Sequence, residues 1–155
     1  TAAVPVWKID AETGEIVWQV SYTCYSADGL SGGAQSSIAL GQGSLDGLIY
    51  LSMARYPTGE GGTLLALNKS DGSEAWTMNT QVYSWSTPTV VYDQDGNGYV
   101  IYCTLGQYMY LLDGLTGTQL DSMNCSGKFE ASPAVYNNWI VVGHRNGAIW
   151  GVQLT

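Results

Sequence analysis

The chain has 155 residues, 45% of them hydrophobic, and a formal net charge of −8. Only five Lys and Arg are present, scattered as Lys8, Arg55, Lys69, Lys128 and Arg145, which excludes the basic stripes that DNA, RNA or anionic membrane surfaces require. No apolar run approaches the ~18 residues of a membrane span.

Taken in order, residues 6–10 and 15–20 predict a hairpin around a turn at residues 11–14. Residues 21–33 are polar and Gly-rich, carry Tyr22 and Tyr25, and predict a loop. A four-strand unit follows over residues 37–79, with a longer loop at residues 55–62 that contains Tyr56. Residues 80–86 form the next connection and hold Tyr83 and Trp85. Four short runs rich in Val, Ile, Tyr, Leu and Thr come next, at residues 87–92, 99–104, 108–113 and 118–123. Asp-Gly, Asn-Gly, Gly-Gln and Thr-Gly turns separate them, and Gly supplies the positive φ that such turns need. This stretch predicts a four-stranded antiparallel meander. Residues 132–136, 139–143 and 148–154 predict three more strands.

The pattern repeats. Ser86-Thr87-Pro88-Thr89-Val90 returns as Ala131-Ser132-Pro133-Ala134-Val135, 45 positions later. Ile9-Asp10, Leu67-Asn68 and Leu112-Asp113 each precede a turn that reaches Gly14, Gly72 or Gly117, and Trp18 and Trp76 follow at matching places. A period of about 40–50 residues with four strands per unit is the signature of a β-propeller. The Ser-Pro-x-Val start, the Leu-Asp-x-x-Thr-Gly turn and the closing Trp resemble the repeat of the pyrroloquinoline-quinone-type (PQQ-like) propellers over nearly the whole chain. The expected fold is all-β: a propeller segment of four-stranded antiparallel blades, an incomplete ring of about three and a quarter blades. The units are a partial blade at 1–36, blades at 37–86 and 87–131, and a partial blade at 132–155. A repeat unit cannot bury its face alone. A second copy, or the remaining half of a longer propeller, is therefore expected to complete the ring. Thr1 in place of Met suggests a processed or cut start.

Three groups of residues invite a chemical reading. Asp93, Asp95 and Asn97 have the alternate spacing of a calcium loop. However, Ile101 and Thr104 stand where the closing ligands of such a loop would be. A plain turn and a weak calcium site both remain open. Trp18 and Trp76 read as struts between blades. Tyr83 and Trp85, beside Ser84 and Ser86, suit stacking on a sugar ring or gripping an extended peptide; Trp85 can equally cap the core. Tyr22, Tyr25 and Tyr56 in the neighbouring loops complete the candidate ligand set. For catalysis, His144 is the only histidine. It precedes a turn at Arg145-Asn146-Gly147, with no G-x-S-x-G or H-E-x-x-H nearby. No catalytic residue is assigned.

The quinone dehydrogenases of the family that this chain resembles use adjacent cysteines, a stacked Trp and a calcium-binding Glu/Asn/Asp set. Cys24, Cys103 and Cys125 are not adjacent, lack C-x-x-C spacing, and no such acidic set can be placed. The resemblance carries the fold across and leaves the quinone cofactor behind. The expected function is a non-enzymatic binding or scaffold module outside the cytoplasm (extracellular, periplasmic or at the cell surface), presenting its inter-blade loops to a protein or carbohydrate. The alternative is a piece of a quinone-dependent dehydrogenase whose cofactor residues lie on other blades.

Overall fold

The computed structural model describes residues 1–27 and 30–155. Among the described residues it is built of β-strands, with one short 3-10 turn at Gly43–Leu45. Strands β1 (Ala2–Ile9) and β2 (Ile16–Cys24) form the leading hairpin. A two-residue pair follows, β3 (Ser26–Ala27) with β4 (Leu30–Ser31). The next sheet has β5 (Gly33–Ala34) and β6 (Ala39–Leu40) both pairing with β7 (Leu48–Ala54), then β8 (Gly62–Asn68) and β9 (Glu74–Thr80). The third is the expected meander: β10 (Thr89–Tyr92), β11 (Gly98–Cys103), β12 (Tyr108–Asp113) and β13 (Gln119–Asn124), paired in that order. The last described sheet has three strands, β14 (Ala134–Tyr136), β15 (Trp139–Gly143) and β16 (Ile149–Gln153). Every pairing is antiparallel.

One expectation needs correction. Residues 21–33 are not one loop. β2 runs on to Cys24, because Val20, Tyr22 and Cys24 alternate with Ser21 and Thr23 and place an apolar stripe on the next sheet. Residues 28–29 of that predicted loop lie outside the described part. The inner position of the second unit is shared by two short pieces, β5 and β6, which pair with β7 on either side of residues 35–38.

The core lies between the sheets. Val6, Tyr22 and Cys24 of the leading hairpin meet Leu51, Met53 and Leu67 of the second sheet. Tyr50, Leu64 and Leu48 meet Val100, Tyr102 and Leu112 of the third. Ile101, Cys103 and Met109 meet Ile140 and Val142 of the last, with Phe129 between. The facing sides of the sheets therefore bury one another. That stacking defines successive blades of a propeller.

The junctions repeat one device. The Trp18 indole Nε1–H donates to the Lys69 carbonyl at 3.0 Å, and a Cβ at Gly72 would lie 2.7 Å from its ring. One unit later the Trp76 Nε1–H donates to the Gly114 carbonyl at 2.9 Å, and a Cβ at Gly117 would lie 2.5 Å from that ring. Both tryptophans are struts, as their recurrence implies. Hydroxyls link the starts of the units as well. The Ser37 N–H donates to Thr87 Oγ1 at 3.2 Å, and the Thr87 N–H donates to Ser132 Oγ at 2.9 Å.

Candidate functional site

Antiparallel order sends the connections β2–β5, β7–β8, β9–β10 and β11–β12 to one end of the stacked sheets. Most of the candidate aromatics meet there. The Tyr25 N–H donates to the Arg55 carbonyl at 2.9 Å, and the Arg55 N–H donates to the Gly61 carbonyl at 2.8 Å. Arg55 holds φ 56, and a cis peptide joins Tyr56 to Pro57. The Tyr56 carbonyl accepts from Thr63 Oγ1 at 2.8 Å. The Arg55 guanidinium lies 5.9 Å from the centre of the Tyr83 ring, within cation–π range. Tyr83 and Trp85 follow with ring centres 6.0 Å apart. The Leu105 N–H donates to the Tyr83 carbonyl at 3.1 Å and ties this connection to the third unit. Tyr25 is exposed, whereas Tyr56, Tyr83 and Trp85 are half-buried. The result is an aromatic surface with one cation in it and backbone anchoring on two sides.

Some expected members of the site are elsewhere. Tyr22 is only 5% exposed. It belongs to the core and meets Tyr56 edge-on at 5.4 Å; burial and the nearby Glu74 push its phenol well above the ordinary range. Ser84 and Ser86 do not face a ligand. Both are buried: Ser84 Oγ donates to the Cys103 carbonyl and accepts the Ser86 N–H. The Trp85 Nε1 is buried as well and has no hydrogen-bond partner among the described residues, so part of the indole caps the interior while the rest reaches the surface. Arg55 was not singled out by sequence. A cation opening a loop next to Tyr56 was the available signal.

Asp93, Asp95 and Asn97 lie at the opposite end. Asp93 Oδ1 accepts from the backbone N–H groups of Asp95 and Asn97, at 2.9 and 2.8 Å. Its Oδ2 accepts from Asn97 Nδ2 at 2.8 Å and from the Tyr99 hydroxyl at 2.9 Å. The Asn97 side chain leads the bonds that hold the carboxyl below its ordinary value. The carboxylate closes its own turn. Among the described residues, no group of three or more His, Cys, Asp or Glu is gathered to hold a metal. Nearby, a cleft of about 790 Å³ opens between the third and last sheets, lined by Tyr92, Asp93, Tyr99, Asn137 and Leu154. It is remote from the aromatic surface.

His144 offers no nucleophilic arrangement. Its Nδ1 accepts from the Asn146 N–H at 3.2 Å, and its ring meets Phe129 edge-on. Cys24, Cys103 and Cys125 are free and buried. Among the described residues, no helix is long and apolar enough to cross a membrane.

Antiparallel sheets stacked face to face, joined by a recurring Trp–Gly junction, make this an arc of a PQQ-like β-propeller. The family described as outer membrane protein assembly factor BamB matches residues 4–94 and again residues 60–155. The chain belongs to that family. The crystal structure of BamB from Moraxella catarrhalis superposes with a TM-score of 0.67 at 16% identity, over 96% of this chain and 43% of that one. The C-terminal WD40 domain of Sif2 superposes with a TM-score of 0.57 at 16% identity, over 90% of this chain and 35% of that one. Among curated proteins, the beta-alanine-activating enzyme of Danio rerio is 29% identical over 96 residues, 61% of this chain and 8% of that protein. The chain thus spans less than half the length of each of these relatives.

Proposed function

We propose that the chain acts as a non-enzymatic binding or scaffold segment of a PQQ-like propeller outside the cytoplasm, and that the end carrying Tyr25, Arg55, Tyr56, Tyr83 and Trp85 is the surface it presents. The observation that carries this reading is the contact series Arg55–Tyr83–Trp85, at 5.9 and 6.0 Å. Rigid aromatic faces beside a guanidinium bind extended peptides and sugar rings well, because they lose little conformational freedom on binding. Membership of the BamB family supports a role in assembly near the outer membrane, with a protein segment as ligand. Carbohydrate is the other ligand class.

The test is binding of the chain to immobilised extended peptides and glycans. Binding should disappear in Tyr83→Ala and Trp85→Ala while the melting temperature moves by only a few degrees. Binding that persists in both variants would retire the reading, and so would a collapse in stability.

A second reading is a piece of a quinone-dependent dehydrogenase whose cofactor residues lie on other blades; the PQQ-like repeat supports it. Dye reduction by the chain after addition of quinone and calcium, with an alcohol or aldose as substrate, would establish it. We expect none, because no adjacent cysteines are available to meet the cofactor.

A further inference from the structure

We propose that the cleft between the third and last sheets binds a small organic cation with an apolar body, of the arylalkylammonium class, with its charge held by Asp93 and the Tyr99 ring. The junction before it shows what is different here. Between the second and third sheets, the connection at residues 41–47 folds over the next unit. The Gln42 N–H donates to the Tyr92 hydroxyl at 2.6 Å, and Ser44 Oγ donates to the Gly96 carbonyl at 2.7 Å. Leu45, with 0% exposure, fills that junction. It lies so close to Gly98 and Gly114 that a Cβ on either would strike it.

One unit later the arrangement changes. Asn138 stands in the place of Gly98, and Leu154 in that of Gly114. The Gly114 N–H donates to the Gly98 carbonyl at 2.9 Å, and the Leu154 N–H donates to the Asn138 carbonyl at 2.7 Å. A leucine placed as Leu45 is would strike both side chains. The connection itself, residues 93–97, spans five residues against seven and is closed on itself by Asp93. The cleft of about 790 Å³ opens at this place. That volume falls within the roughly 300–1,000 Å³ of small-ligand sites.

The lining defines the ligand. Val91, Leu111, Val135 and Leu154 supply hydrocarbon, and Tyr92 and Tyr99 supply aromatic rings. Asp93 supplies a carboxylate. Its four donors are all neutral, so its charge is stabilised but not cancelled. Asp93, Asp95 and Asp113 all act electrostatically on the Tyr99 hydroxyl. No Lys or Arg is among the described residues that line the cleft. A cation there is attracted by the carboxylates and by the ring faces, whereas an anion is repelled.

The test uses three probes with one body: phenylbutylamine, protonated at neutral pH, phenylbutanol and phenylbutyrate. Each is titrated into the 155-residue chain while the backbone amide signals are followed. The amine should shift the Asp93, Tyr99, Asn138 and Leu154 amides and bind about tenfold or more tightly than the alcohol. The carboxylate should leave those signals unmoved, and added salt should narrow the gap between amine and alcohol. Asp93→Asn should bring the amine down to the level of the alcohol without weakening the alcohol. Equal binding of amine and alcohol, no binding of the amine, or shifts confined to the surface around Tyr83 and Trp85 would overturn the proposal. A capped peptide with a central Lys that binds more tightly than the amine would assign the cleft to a protein partner and overturn it as well. Should Asp93→Asn fail to fold, the charge series and its salt dependence in the unaltered chain decide.

Discussion

The Trp76 ring lies over Gly117 so closely that a Cβ there would come within 2.5 Å of Cε3. The pair joins the second and third blades through one indole N–H and one missing side chain. Gly117→Ala has to strain a residue at φ 73 and also push the ring away. We expect it to cost about 2–4 kcal/mol, measured by urea unfolding. Trp76→Ala should cost about 3 kcal/mol, the low end for a large aromatic, since the ring is half-buried. Both remove the same contact, so the double variant should cost clearly less than the sum. Simple additivity would mean that the two residues act separately.

The blade plan was legible in the sequence because Gly72, Gly117, Trp18 and Trp76 recur at fixed places, and because short runs alternate between turn residues. The loop face was only partly legible. Tyr22 reads as a loop residue by composition, yet Val20-x-Tyr22-x-Cys24 is a strand alternation that outweighs the glycines further on. The burial of Ser84 was not readable. Its partner is the Cys103 carbonyl, 19 residues away, and only folding brings the two together. The split of the inner strand around residues 35–38 carries no local signal either.

Three exposed aspartates close turns, and their carboxylates should set the acid limit of the fold. The Thr13 backbone N–H holds Asp10 below its ordinary value of 3.8, the Ser73 hydroxyl does so for Asp71, and the Asn97 side chain for Asp93. A depressed carboxyl stabilises the fold fully above 3.8, and that contribution is lost as pH falls through the lower folded value. The melting midpoint should therefore stay level from about pH 7 to pH 5 and drop below 3.8. Asp93→Asn should flatten part of that drop and lower the midpoint at neutral pH. An unchanged acid profile in this variant would assign the acid limit to other groups.

The thiols should be inert while the fold is intact. Cys24, Cys103 and Cys125 are all buried, and burial raises each thiol above its ordinary value of 9.0. The thiolate is the reactive form. Iodoacetamide at about pH 8 should leave all three unlabelled in the native chain and label all three in urea. Rapid native labelling of Cys125, just after β13, would show that the last junction opens.

The buried pair Ser52 and Tyr102 gives the sharpest test of the second junction. Both residues have 0% exposure, and Ser52 Oγ and the Tyr102 hydroxyl lie 2.9 Å apart across the two sheets. Ser52→Ala would leave the tyrosine hydroxyl buried without this partner and should cost about 1–3 kcal/mol. Tyr102→Phe removes the hydroxyl instead; Ser52 Oγ can still donate to the Ser84 carbonyl, at 3.4 Å, so its cost should fall to about 1 kcal/mol. Removing both should cost less than the sum, because no orphaned group then remains. Burial, the leading cause, raises the Tyr102 phenol from its ordinary 10.0 to about 12. Its contribution is complete below 10.0 and is lost as pH rises through about 12, where the unfolded chain ionises first. Tyr102→Phe should therefore lose less stability than the unaltered chain over that alkaline interval. Equal alkaline losses in the two chains would mean that Tyr102 ionises like an exposed tyrosine and that the junction is wet.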